Sequence, residues 1–276
     1  MFPCNCRICD EPLVRISRLP VCQQCLDGIH PLRGRLCSVC GERVLSPLSA
    51  PAPDASDRGD EMFQCLLCRR DAPPFAKAVA YGSYQGGLRE MVHMLKYGGV
   101  LPAAKVLGRM VAEAMVGLEP VLGDGGIVVV PVPLHKSKLR QRGFNQAELI
   151  ARSALKFCAA KRFHLAANVL LRKRDTDSQI GMTSHQRREN MRGAFTVSRA
   201  QEVNGREVLL VDDVLTTGAT AAECARVLLR AGASRVWVAT AARTMKSASN
   251  VDKLQSYRVS ELQGVTLTEA GDVVAS

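Results

Sequence analysis

The fold is decided by the stretch Val208-Leu209-Leu210-Val211-Asp212-Asp213-Val214-Leu215-Thr216-Thr217-Gly218-Ala219-Thr220. Its apolar start is too short for a membrane span and predicts a strand buried on both faces of a parallel sheet. The strand delivers Asp212 and Asp213 to the carboxyl edge of that sheet, where they can accept hydrogen bonds from the vicinal hydroxyls of a ribose. The hydroxyls and backbone N–H groups from Thr216 to Thr220 then surround a monophosphate at the start of a helix. Gly218 permits a close backbone approach and a positive φ.

This order of apolar residues, two acids and Thr-Thr-Gly-small-Thr resembles the motif with which type I phosphoribosyltransferases bind phosphoribosyl pyrophosphate (PRPP). The resemblance implies that Asp212 and Asp213 are both substrate-binding and catalytic, and that the PRPP site includes Thr216, Thr217, Gly218, Ala219 and Thr220. A plain strand-turn-helix with solvated acids and capping threonines is the alternative. It explains one threonine, but not two adjacent acids and three threonines around one glycine. A Walker phosphate loop fits less well, because no Gly-Lys-Ser/Thr follows the glycine.

Length and composition are those of a globular protein. The chain has 276 residues, 47% of them hydrophobic, which is enough for one large or two modest domains. No apolar run approaches the roughly 18 residues of a membrane span, and the start Met1-Phe2-Pro3-Cys4 lacks the basic and hydrophobic regions of a secretory signal. The sequence therefore predicts a protein without a transmembrane segment that works in the cytoplasm, either free or peripherally at the inner face of the membrane.

The charge of the chain favours an anionic partner. The formal net charge is +11 and the isoelectric point is about 9.3, a balance that usually indicates nucleic acid. A pyrophosphate-binding site also needs cations, and basic residues gather in three places, at 135–142, 172–174 and 187–192. Charge alone therefore does not separate a phosphorylated substrate from DNA.

Cysteines are concentrated at the start of the chain, where nine of the 11 precede residue 70. Eight of these form four Cys-x-x-Cys pairs, which are Cys6/Cys9, Cys22/Cys25, Cys37/Cys40 and Cys65/Cys68. The spacing lets two thiolates face one tetrahedral ion across a tight turn, and zinc is the natural occupant. Iron–sulfur ligation and redox-active dithiols are the alternatives, although widely separated pairs resemble zinc ribbons more than ferredoxins.

The four pairs hold one or two ions, and two ions need all eight thiolates. Sequential pairing joins the first pair with the second and the third with the fourth, whereas a cross-brace interleaves them. A site closed by thiolates leaves no position for water, so the metal is predicted to be structural. Gly41, directly after Cys40, suits the turn of a zinc knuckle, and the Pro- and Ser-rich segment Ser46–Asp57 predicts a mobile loop.

Strand and helix patterns alternate after Pro73-Pro74. Strand-like runs occur at 78–84, 127–130, 169–171, 208–211 and 236–239, and helix-like runs at 88–95, 102–116, 145–158, 184–191 and 219–231. The alternation predicts an α/β fold with a doubly wound, mainly parallel sheet and a ligand crevice at the carboxyl ends of its strands. We expect three parts: a double zinc-ribbon module at 1–72, the α/β domain at 73–243 and a C-terminal extension of unknown role at 244–276.

Two further polar loops fall at the same edge of the predicted sheet. The first runs from Pro131 to Gln146, where prolines force an extended turn and basic side chains offer donors to an anion. The second is the long loop from Arg172 to Phe195, in which Thr183 and Gln186 have the spacing of a helix capping box. A mobile loop that carries arginine suits closure over a leaving group. Its Arg188 or Asn190 would equally serve to fasten the helix to the sheet.

These motifs together resemble the ComF family, from about Cys6 to Arg243. The matching features are the four Cys pairs, Tyr81…Tyr84…Leu95-Lys96-Tyr97, Pro131-Val132-Pro133-Leu134, Arg142-Gly143-Phe144-Asn145-Gln146, Gln179…Arg187-Arg188…Asn190…Ala194-Phe195 and Asp212-Asp213-Val214…Thr216-Thr217-Gly218. The family combines a zinc module with a type I phosphoribosyltransferase-like domain. It is associated with natural competence, the import of single-stranded DNA and the use of DNA as a nutrient.

The resemblance implies roles for the polar loops. Pyrophosphate or lid contacts fall to Pro133, Leu134, Lys138, Arg142, Gln179, Arg187, Arg188 and Asn190. Arg188 also joins the two acids as a catalytic residue. Mg²⁺ enters with PRPP, whose own oxygens supply most of its ligands. Single-stranded DNA and proteins of the DNA-uptake machinery are the further expected partners.

Two functions stay open on the sequence. The first is Mg²⁺-dependent phosphoribosyl transfer to an unknown acceptor. Purine-salvage members of the wider superfamily carry a carboxylate where this chain has Thr216, so a purine acceptor is not supported. The second is a DNA-binding or PRPP-sensing factor whose transferase site is a relic, with Tyr81, Tyr84 or Phe144 stacking on bases. Since only 4% of the residues are aromatic, these rings are more readily explained as core.

Overall fold

The computed structural model describes five ranges of the chain, 5–13, 17–44, 63–158, 162–174 and 183–245. The predicted mobile segment Ser46–Asp57, the predicted lid residue Gln179 and the extension from residue 246 onward lie outside the described residues. The described residues belong to one compact unit, Met1–Met245. The boundary expected at residue 72 therefore stays a prediction.

Seven strands and eight α-helices lie within these ranges. The strands are β1 Lys77–Ser83, β2 Ile127–Pro131, β3 Phe163–Leu165, β4 Leu170–Arg172, β5 Phe195–Val197, β6 Glu207–Leu215 and β7 Arg235–Arg243. The helices are α1 Gln23–Asp27, α2 Leu66–Arg70, α3 Gly86–Lys96, α4 Ala103–Met115, α5 Lys136–Arg142, α6 Gln146–Ala154, α7 Ser184–Met191 and α8 Ala219–Arg230. None of the described helices has the length and apolar character needed to cross a membrane.

Five of the strands form one parallel sheet in the order β1-β7-β6-β2-β3. Side chains of the central strand β6 alternate between its two faces. Leu209 and Val211 belong to the core that contains α3, α4 and α6. Val208 and Leu210 belong to the core that contains α8. Helices on both faces confirm the predicted doubly wound α/β fold, and the apolar run of β6 is buried as expected.

Three details differ from the sequence prediction. Pairing of β6 with β7 continues to Leu215, so both acids lie within the paired part of the strand. The strand expected at 169–171 is β4, which pairs antiparallel with β5 in a separate two-stranded sheet. The basic segment after Leu134 folds into α5, because His135 caps its start and Gly143, with φ +82°, ends it in the left-handed conformation.

Helix α3 lies across the carboxyl edge of the sheet. It follows β1, yet its last residue, Lys96, contacts Asp213 of β6, and β7 separates these two strands. Two strand spacings are roughly 10 Å and a helix of 11 residues is roughly 16 Å long, so α3 can span the distance. A helix that returned along the sheet would carry Lys96 to the opposite edge instead.

The cysteine-rich segment covers the outer edge of β1. The Leu32 N–H donates to the Tyr81 carbonyl at 2.6 Å, and the Ala78 N–H donates to the Val39 carbonyl at 2.7 Å. Gly41, with φ +68°, lies so close to this strand that an added Cβ would be 3.1 Å from the Ala78 carbonyl oxygen. The knuckle glycine therefore serves both the turn and the packing against the sheet. Covering an edge strand in this way keeps it from pairing with another chain.

A buried ion pair joins the second Cys group (Cys37, Cys40, Cys65 and Cys68) to the end of β7. Arg243 donates from Nη2 to Glu42 Oε2 at 3.2 Å and to Cys40 Sγ at 3.5 Å. The side chains of Arg243 and Glu42 are only 5% and 10% exposed. Since a buried charge is stable only beside a partner, the guanidinium fixes Cys40 relative to the sheet.

Replacing Arg243 by methionine is expected to destabilise the protein by about 3 kcal/mol, because the largely buried Glu42 carboxylate then loses the guanidinium that neutralises it. The matched control is Arg235→Met on the same strand, where the side chain is 54% exposed and lies 3.9 Å from Glu207. That change should alter stability by about 0.5 kcal/mol or less. Urea denaturation followed by circular dichroism compares the two, and equal unfolding midpoints would contradict the structural role of Arg243.

Candidate functional site

The two acids of the motif face opposite sides of β6. Asp213 is 3% exposed, and its Oδ1 atom lies 2.8 Å from the Nζ atom of Lys96. Asp212 lies on the side of α8, since burial and then the charge of Asp212 raise the pKa of the Cys224 thiol in that helix. The structure therefore places the two carboxylates on different faces of β6 where this strand ends, and not side by side.

Lys96 is a site residue that the sequence analysis did not single out. Burial lowers the pKa of its ammonium group, but the charge of Asp213, the hydrogen bond to it and the charge of Asp212 raise that pKa by more. Lys96 therefore stays charged and neutralises one of the two acids. A sequence signal was present, because Leu95-Lys96-Tyr97 is among the ComF-like features and Lys96 ends a helix with one apolar face.

Asp212 changes protonation near neutral pH. Burial and the charge of Asp213 raise the pKa of Asp212 from 3.8 to about 7, while the charge of Lys96 acts in the opposite direction. The Asp213 N–H also donates to Asp212 Oδ1 at 2.9 Å and favours the ionised form. A carboxyl group poised in this way can accept a hydrogen bond from a ligand hydroxyl or exchange a proton with it.

The residues after β6 form a tight loop and the start of α8. Gly218 has φ +79°, the left-handed conformation that the sequence predicts, and is the N-cap of the helix. Thr217 is exposed, and its Oγ1 accepts a hydrogen bond from the Ala219 N–H at 3.4 Å. The loop Thr216–Thr220 thus places hydroxyl groups at a helix N-terminus, directly beyond the two acids, where an anion is favoured.

The loop between β2 and α5 lies next to the end of β6. It contains Pro133 and Leu134, both half-buried. The Val132 N–H donates to the Val211 carbonyl at 2.9 Å and extends the strand pairing by one step. Asn145 Nδ2 donates to the Val132 carbonyl at 3.1 Å from the far side of α5. These bonds hold the predicted pyrophosphate loop at the carboxyl edge, beside the acids.

Helix α5 brings the side chain of Arg142 to the end of α3. It contains Lys138 and Arg142, the two cations predicted to contact pyrophosphate. The Nη1 atom of Arg142 donates to Gln146 Oε1 at 2.5 Å, and its guanidinium carbon lies 5.6 Å from the centroid of the Tyr97 ring. Because Tyr97 directly follows Lys96, Arg142 lies close to the residue that pairs with Asp213.

Helix α7 carries the predicted lid residues Arg187, Arg188 and Asn190. Thr183 and Gln186 form the capping box that the sequence predicts at its start. Its end packs beside the phosphate loop, where Thr220 Oγ1 donates to Met191 Sδ at 3.5 Å.

Arg188 forms an ion pair with Asp71, which directly follows α2, and both side chains are more than half exposed. The structure therefore shows Arg188 fastening α7 to the cysteine-rich segment. A role at the reacting atoms requires this pair to open. Among the described lid residues, Asn190 contributes its carbonyl oxygen, which accepts a hydrogen bond from Arg174 Nη2 at 3.3 Å.

The three rings considered for base stacking, Tyr81, Tyr84 and Phe144, are partly buried and pack against the core. The Tyr81 hydroxyl donates to the Ile29 carbonyl at 3.3 Å, and the Tyr84 hydroxyl is 3.0 Å from His93 Nε2. These contacts support the core interpretation of the three rings that the low aromatic content favours.

A cavity of about 370 Å³ lies at the other end of the sheet. Its lining includes Ile127, His164 and Glu207, which stand at the amino ends of β2, β3 and β6. None of the described residues predicted for the site lines it. Ligands of doubly wound sheets bind at the carboxyl ends of the strands, so we place the candidate site there.

The eight paired cysteines form two groups of four. The first group is Cys6, Cys9, Cys22 and Cys25, and within each group the sulfur atoms all lie within 4.8 Å of one another. The first Cys-x-x-Cys pair therefore shares a site with the second, and the third with the fourth, which is the sequential pairing and not the cross-brace. Four thiolates about 2.3 Å from a central zinc ion are roughly 3.8 Å apart. The distances from Cys9 to Cys22, 3.8 Å, and from Cys40 to Cys65, 3.7 Å, agree with this geometry.

Backbone N–H groups prepare the first Cys group for metal. The Cys22 N–H lies 3.3 Å from Cys6 Sγ, and the Ile8 N–H lies 3.5 Å from it. Burial raises the pKa of the Cys6 thiol, but these and other backbone donors lower it by more, to about 6. A thiolate stabilised in this way is the form that binds metal. Both groups are therefore compatible with closed, structural zinc sites.

Comparison with known proteins agrees with this architecture. The chain is 30% identical over 251 residues to the protein named "DNA utilization protein YhgH" of Salmonella typhimurium, and the match covers 88% of this chain and 98% of that protein. The chain belongs to the ComF family. Residues 147–270 match the family described as "Phosphoribosyl transferase domain", a range that includes β6 and the phosphate loop. The Cys groups and Lys96 of this ComF chain lie before that range.

Two further similarities are to a curated relative and to a solved structure. "Competence protein F" of Haemophilus influenzae is 27% identical over 226 residues, which cover 79% of this ComF chain and 94% of that protein. A solved structure described as the allosteric regulatory enzyme of purine biosynthesis aligns with a TM-score of 0.31 and 24% identity. That alignment covers 51% of this chain and 26% of the enzyme.

The two Cys groups of this ComF chain are expected to bind one zinc ion each, and Cys9→Ser to lower the zinc content by about one ion per chain. Cys158→Ser is the matched control, because Cys158 lies outside both groups and donates to the Ala154 carbonyl. Elemental analysis of purified protein gives the metal content. Loss of both ions in the Cys9 variant, or iron in place of zinc, would contradict two separate zinc sites.

Asp212→Asn is expected to stabilise the ligand-free protein, and increasingly so as the pH rises. With a pKa raised from 3.8 to about 7, Asp212 binds more protons in the folded than in the unfolded chain across this window. Between pH 3.8 and about 7 the native protein therefore loses stability relative to the variant. Above pH 7 the difference in unfolding free energy between the two is constant. At about 1.4 kcal/mol per pKa unit, we expect this difference in stability to reach about 4 kcal/mol at high pH.

Thermal unfolding at several pH values measures this difference. Asp124→Asn is the control, since Asp124 is exposed in the loop before β2. A pH-independent difference between Asp212→Asn and the native protein would show that Asp212 is ionised normally.

Proposed function

We propose that this ComF family member binds PRPP at the carboxyl edge of its sheet and acts in the uptake or processing of single-stranded DNA. We propose further that the same site transfers the phosphoribosyl group in a Mg²⁺-dependent reaction. One observation carries the proposal: an acid pair partly neutralised by Lys96 lies directly before a threonine-rich loop that opens a helix. Sugar hydroxyls and a phosphate are the ligand groups that this combination fits.

Each part of the site corresponds to one part of PRPP. The loop Thr216–Thr220 offers hydroxyls and N–H groups to the 5′-phosphate. Asp212 and Asp213 accept hydrogen bonds from the ribose hydroxyls. The loop with Pro133 and Leu134, together with the cations of α5, contacts the pyrophosphate. The remaining predicted contacts come from the α7 region, with Gln179, Arg187, Arg188 and Asn190 closing over the leaving group.

A buried oxygen atom of Asp213 supports a ligand with hydroxyl groups. Its Oδ1 pairs with Lys96, whereas Oδ2 is buried and has no hydrogen-bond partner among the described residues. An unsatisfied buried polar group destabilises a protein by about 1–3 kcal/mol. A hydroxyl that donates to this oxygen would remove the penalty on binding, and a ribose carries two adjacent hydroxyls.

Transfer breaks the bond between ribose C1′ and the pyrophosphate oxygen, which leaves with the electron pair. A lone pair of the acceptor forms the new bond to C1′, and the proton that the acceptor loses passes to the departing pyrophosphate or to solvent. Positive charge develops on the ribose in between, so the protein must hold both groups and exclude water. Lys138 and Arg142 stabilise the negative charge that accumulates on the leaving group. Asp212 would hold Mg²⁺ together with oxygens of PRPP, and the ion would supply further charge neutralisation there.

The DNA part of the proposal is supported by relatives and by charge. Similar proteins carry names that refer to DNA utilization and to competence. The net charge of +11 suits a polyanion. In this proposal the zinc ions are structural, and the protein works in the cytoplasm or peripherally at the inner face of the membrane. There it meets single-stranded DNA and proteins of the uptake machinery.

A non-catalytic PRPP sensor or DNA-binding factor is the second candidate. Thr216 occupies the position where the purine-salvage resemblance implies a carboxylate, and Arg188 is engaged by Asp71. Both observations favour binding without transfer. The two candidates share the PRPP site and differ only in whether pyrophosphate is released.

PRPP with Mg²⁺ is expected to raise the unfolding temperature of the native protein, and Asp212→Asn to remove most of that rise. At a ligand concentration of about 100 times Kd, the stabilisation is about 2.7 kcal/mol. Asp212 is preferred to Asp213 for this test, because Asp213→Asn would leave the Lys96 ammonium buried without a partner. Asp124→Asn, an exposed change of the same kind, should keep the full effect.

Calorimetric titration with PRPP provides an independent measurement, and a flat titration of zinc-replete protein would contradict the proposed site. Release of pyrophosphate in the presence of an acceptor separates the two candidate functions. The transferase predicts release that Asp212→Asn abolishes, whereas the sensor predicts binding with no release for any acceptor.

A further inference from the structure

The cavity at the amino ends of the strands has the size of a site for a small molecule. Its volume is about 370 Å³, and the buried apolar residues Ile127 and Val128 are part of its lining. Small-molecule sites in proteins are usually about 300–1,000 Å³. Gly125 and Gly126 also line the cavity, and a Cβ added to either would meet no atom within 4 Å apart from its chain neighbours. These two glycines therefore leave the backbone open to a ligand.

Two arginines line this cavity from different strands. Arg162 directly precedes β3, Arg206 directly precedes β6, and β2 lies between these strands in the sheet. Their backbones are therefore roughly 10 Å apart, a distance that two arginine side chains can close around one anion. Arg162 Nη2 donates to the carbonyls of Leu122 at 3.3 Å and Gly123 at 2.8 Å, which holds the guanidinium in place. Its Nε atom is buried and has no hydrogen-bond partner among the described residues, so Arg162 retains an unused donor.

The charges around the cavity favour an anion. Neither Arg162 nor Arg206 forms an ion pair within the described part of the chain. Glu207 is the acid in the lining, and its carboxylate is already engaged. Its Oε2 accepts from a backbone N–H of the glycine-rich loop at 3.1 Å and from Trp237 Nε1 at 3.2 Å, while Oε1 lies 3.9 Å from Arg235 Nη1. The two arginines of the lining are thus left to neutralise a ligand.

We propose that this cavity is a second ligand site, which binds a small phosphate monoester. Arg162 and Arg206 donate to the phosphate, and the organic group of the ester packs against Ile127 and Val128. A phosphate is favoured over a carboxylate, because it carries close to two charges at neutral pH and three oxygen atoms that two separate guanidinium groups can share. The volume of the cavity exceeds that of the phosphate and leaves room for a sugar or a nucleoside.

This second site is separate from the proposed PRPP site. Glu207 and Asp213 are six residues apart on β6, roughly 20 Å, so one small molecule cannot occupy both ends of the strand. None of the residues that line the cavity is assigned to PRPP. The proposal therefore goes beyond the proposed function and requires neither PRPP binding nor transfer.

The test titrates the full-length, zinc-replete protein with ribose 5-phosphate and with thymidine 5′-monophosphate in a calorimeter. Arg206→Gln is expected to weaken binding about tenfold or more, because a charge-assisted hydrogen bond is lost. Arg206 is exposed, so the change should leave the fold intact. Arg18→Gln is the matched control and should bind normally, since Arg18 is an exposed arginine of the cysteine-rich segment and does not line the cavity. The ester that binds more tightly identifies the organic group.

Two further measurements locate the bound ester. Trp237 is the single tryptophan of the chain and donates to Glu207 of the lining, so a change in its fluorescence on titration reports on this cavity. Ser234 is exposed and lines the cavity, which allows a matched pair of variants. Ser234→Asp is expected to weaken binding about tenfold, because it adds a like charge beside the phosphate. Ser234→Asn adds no charge and should bind within about twofold of the native protein.

The outcomes separate this proposal from the proposed function. PRPP-dependent thermal stabilisation should be unchanged in Arg206→Gln and Ser234→Asp, whereas Asp212→Asn should remove it and keep the fluorescence response to the ester. Inorganic phosphate should bind at least about tenfold more weakly than the better ester, because it lacks the group that packs against the apolar lining.

Three results would overturn the second site. The first is the absence of both heat and a fluorescence change with either ester, and the second is native affinity in Arg206→Gln. The third is binding of an oligothymidylate that Arg206→Gln weakens while neither ester binds, which would assign the arginines to a nucleic-acid backbone.

Discussion

The ion pair between Lys96 and Asp213 is the interaction on which the candidate site depends. It joins the last residue of α3 to the central strand of the sheet, with Nζ and Oδ1 2.8 Å apart and both side chains largely buried. Isolated, either charge would be strongly destabilising in that position. Because each is stable only beside the other, α3 is held across the carboxyl ends of the strands. Helix α3 thereby forms one side of the sheet edge at which the loops and the two acids meet.

A second buried ion pair, between Arg243 and Glu42, holds the cysteine-rich segment against the sheet. Arg243 stands at the end of β7, opposite Leu215, the last residue of β6 before the phosphate loop. Through Glu42 and the sulfur of Cys40 it connects that strand end with a metal-ligand group. The ordering of four cysteines therefore bears on the position of a strand end that neighbours the candidate site. The order of this Cys group and the integrity of the candidate site are therefore linked through Arg243.

Much of the fold can be predicted from the sequence, because the strands and helices have strong, regular hydrophobic periodicity. The apolar run of β6, the capping box of α7 and the left-handed Gly218 each follow from local chemistry, and the structure confirms them. The sequential grouping of the cysteines was one of two alternatives, which spacing alone does not separate. Only the folded chain distinguishes them, since the choice depends on how distant turns meet.

Contacts between elements that are far apart in the chain could not be predicted from the sequence. Lys96 looks like an ordinary helix-ending lysine until α3 crosses the sheet and brings it to Asp213. Arg188 has the composition of a lid residue, yet its partner Asp71 lies more than a hundred residues away in the chain. Tyr97 is exposed while Tyr81 and Tyr84 are partly buried, and nothing in their spacing separates them. These differences arise from tertiary packing, which periodicity does not encode.

The arrangement of the two acids favours a ligand-binding role for this edge over a purely structural one. Two adjacent carboxylates enter the end of a buried strand, where Lys96 pairs with one of them, and burial together with the charge of Asp213 raises the pKa of Asp212 to about 7. An apolar residue or asparagine would be more stable there. Structures tolerate such a local conflict mainly where a function requires it. The Asp213 Oδ2 atom has no hydrogen-bond partner among the described residues and adds to this conflict, which a ligand hydroxyl that donates to it would relieve.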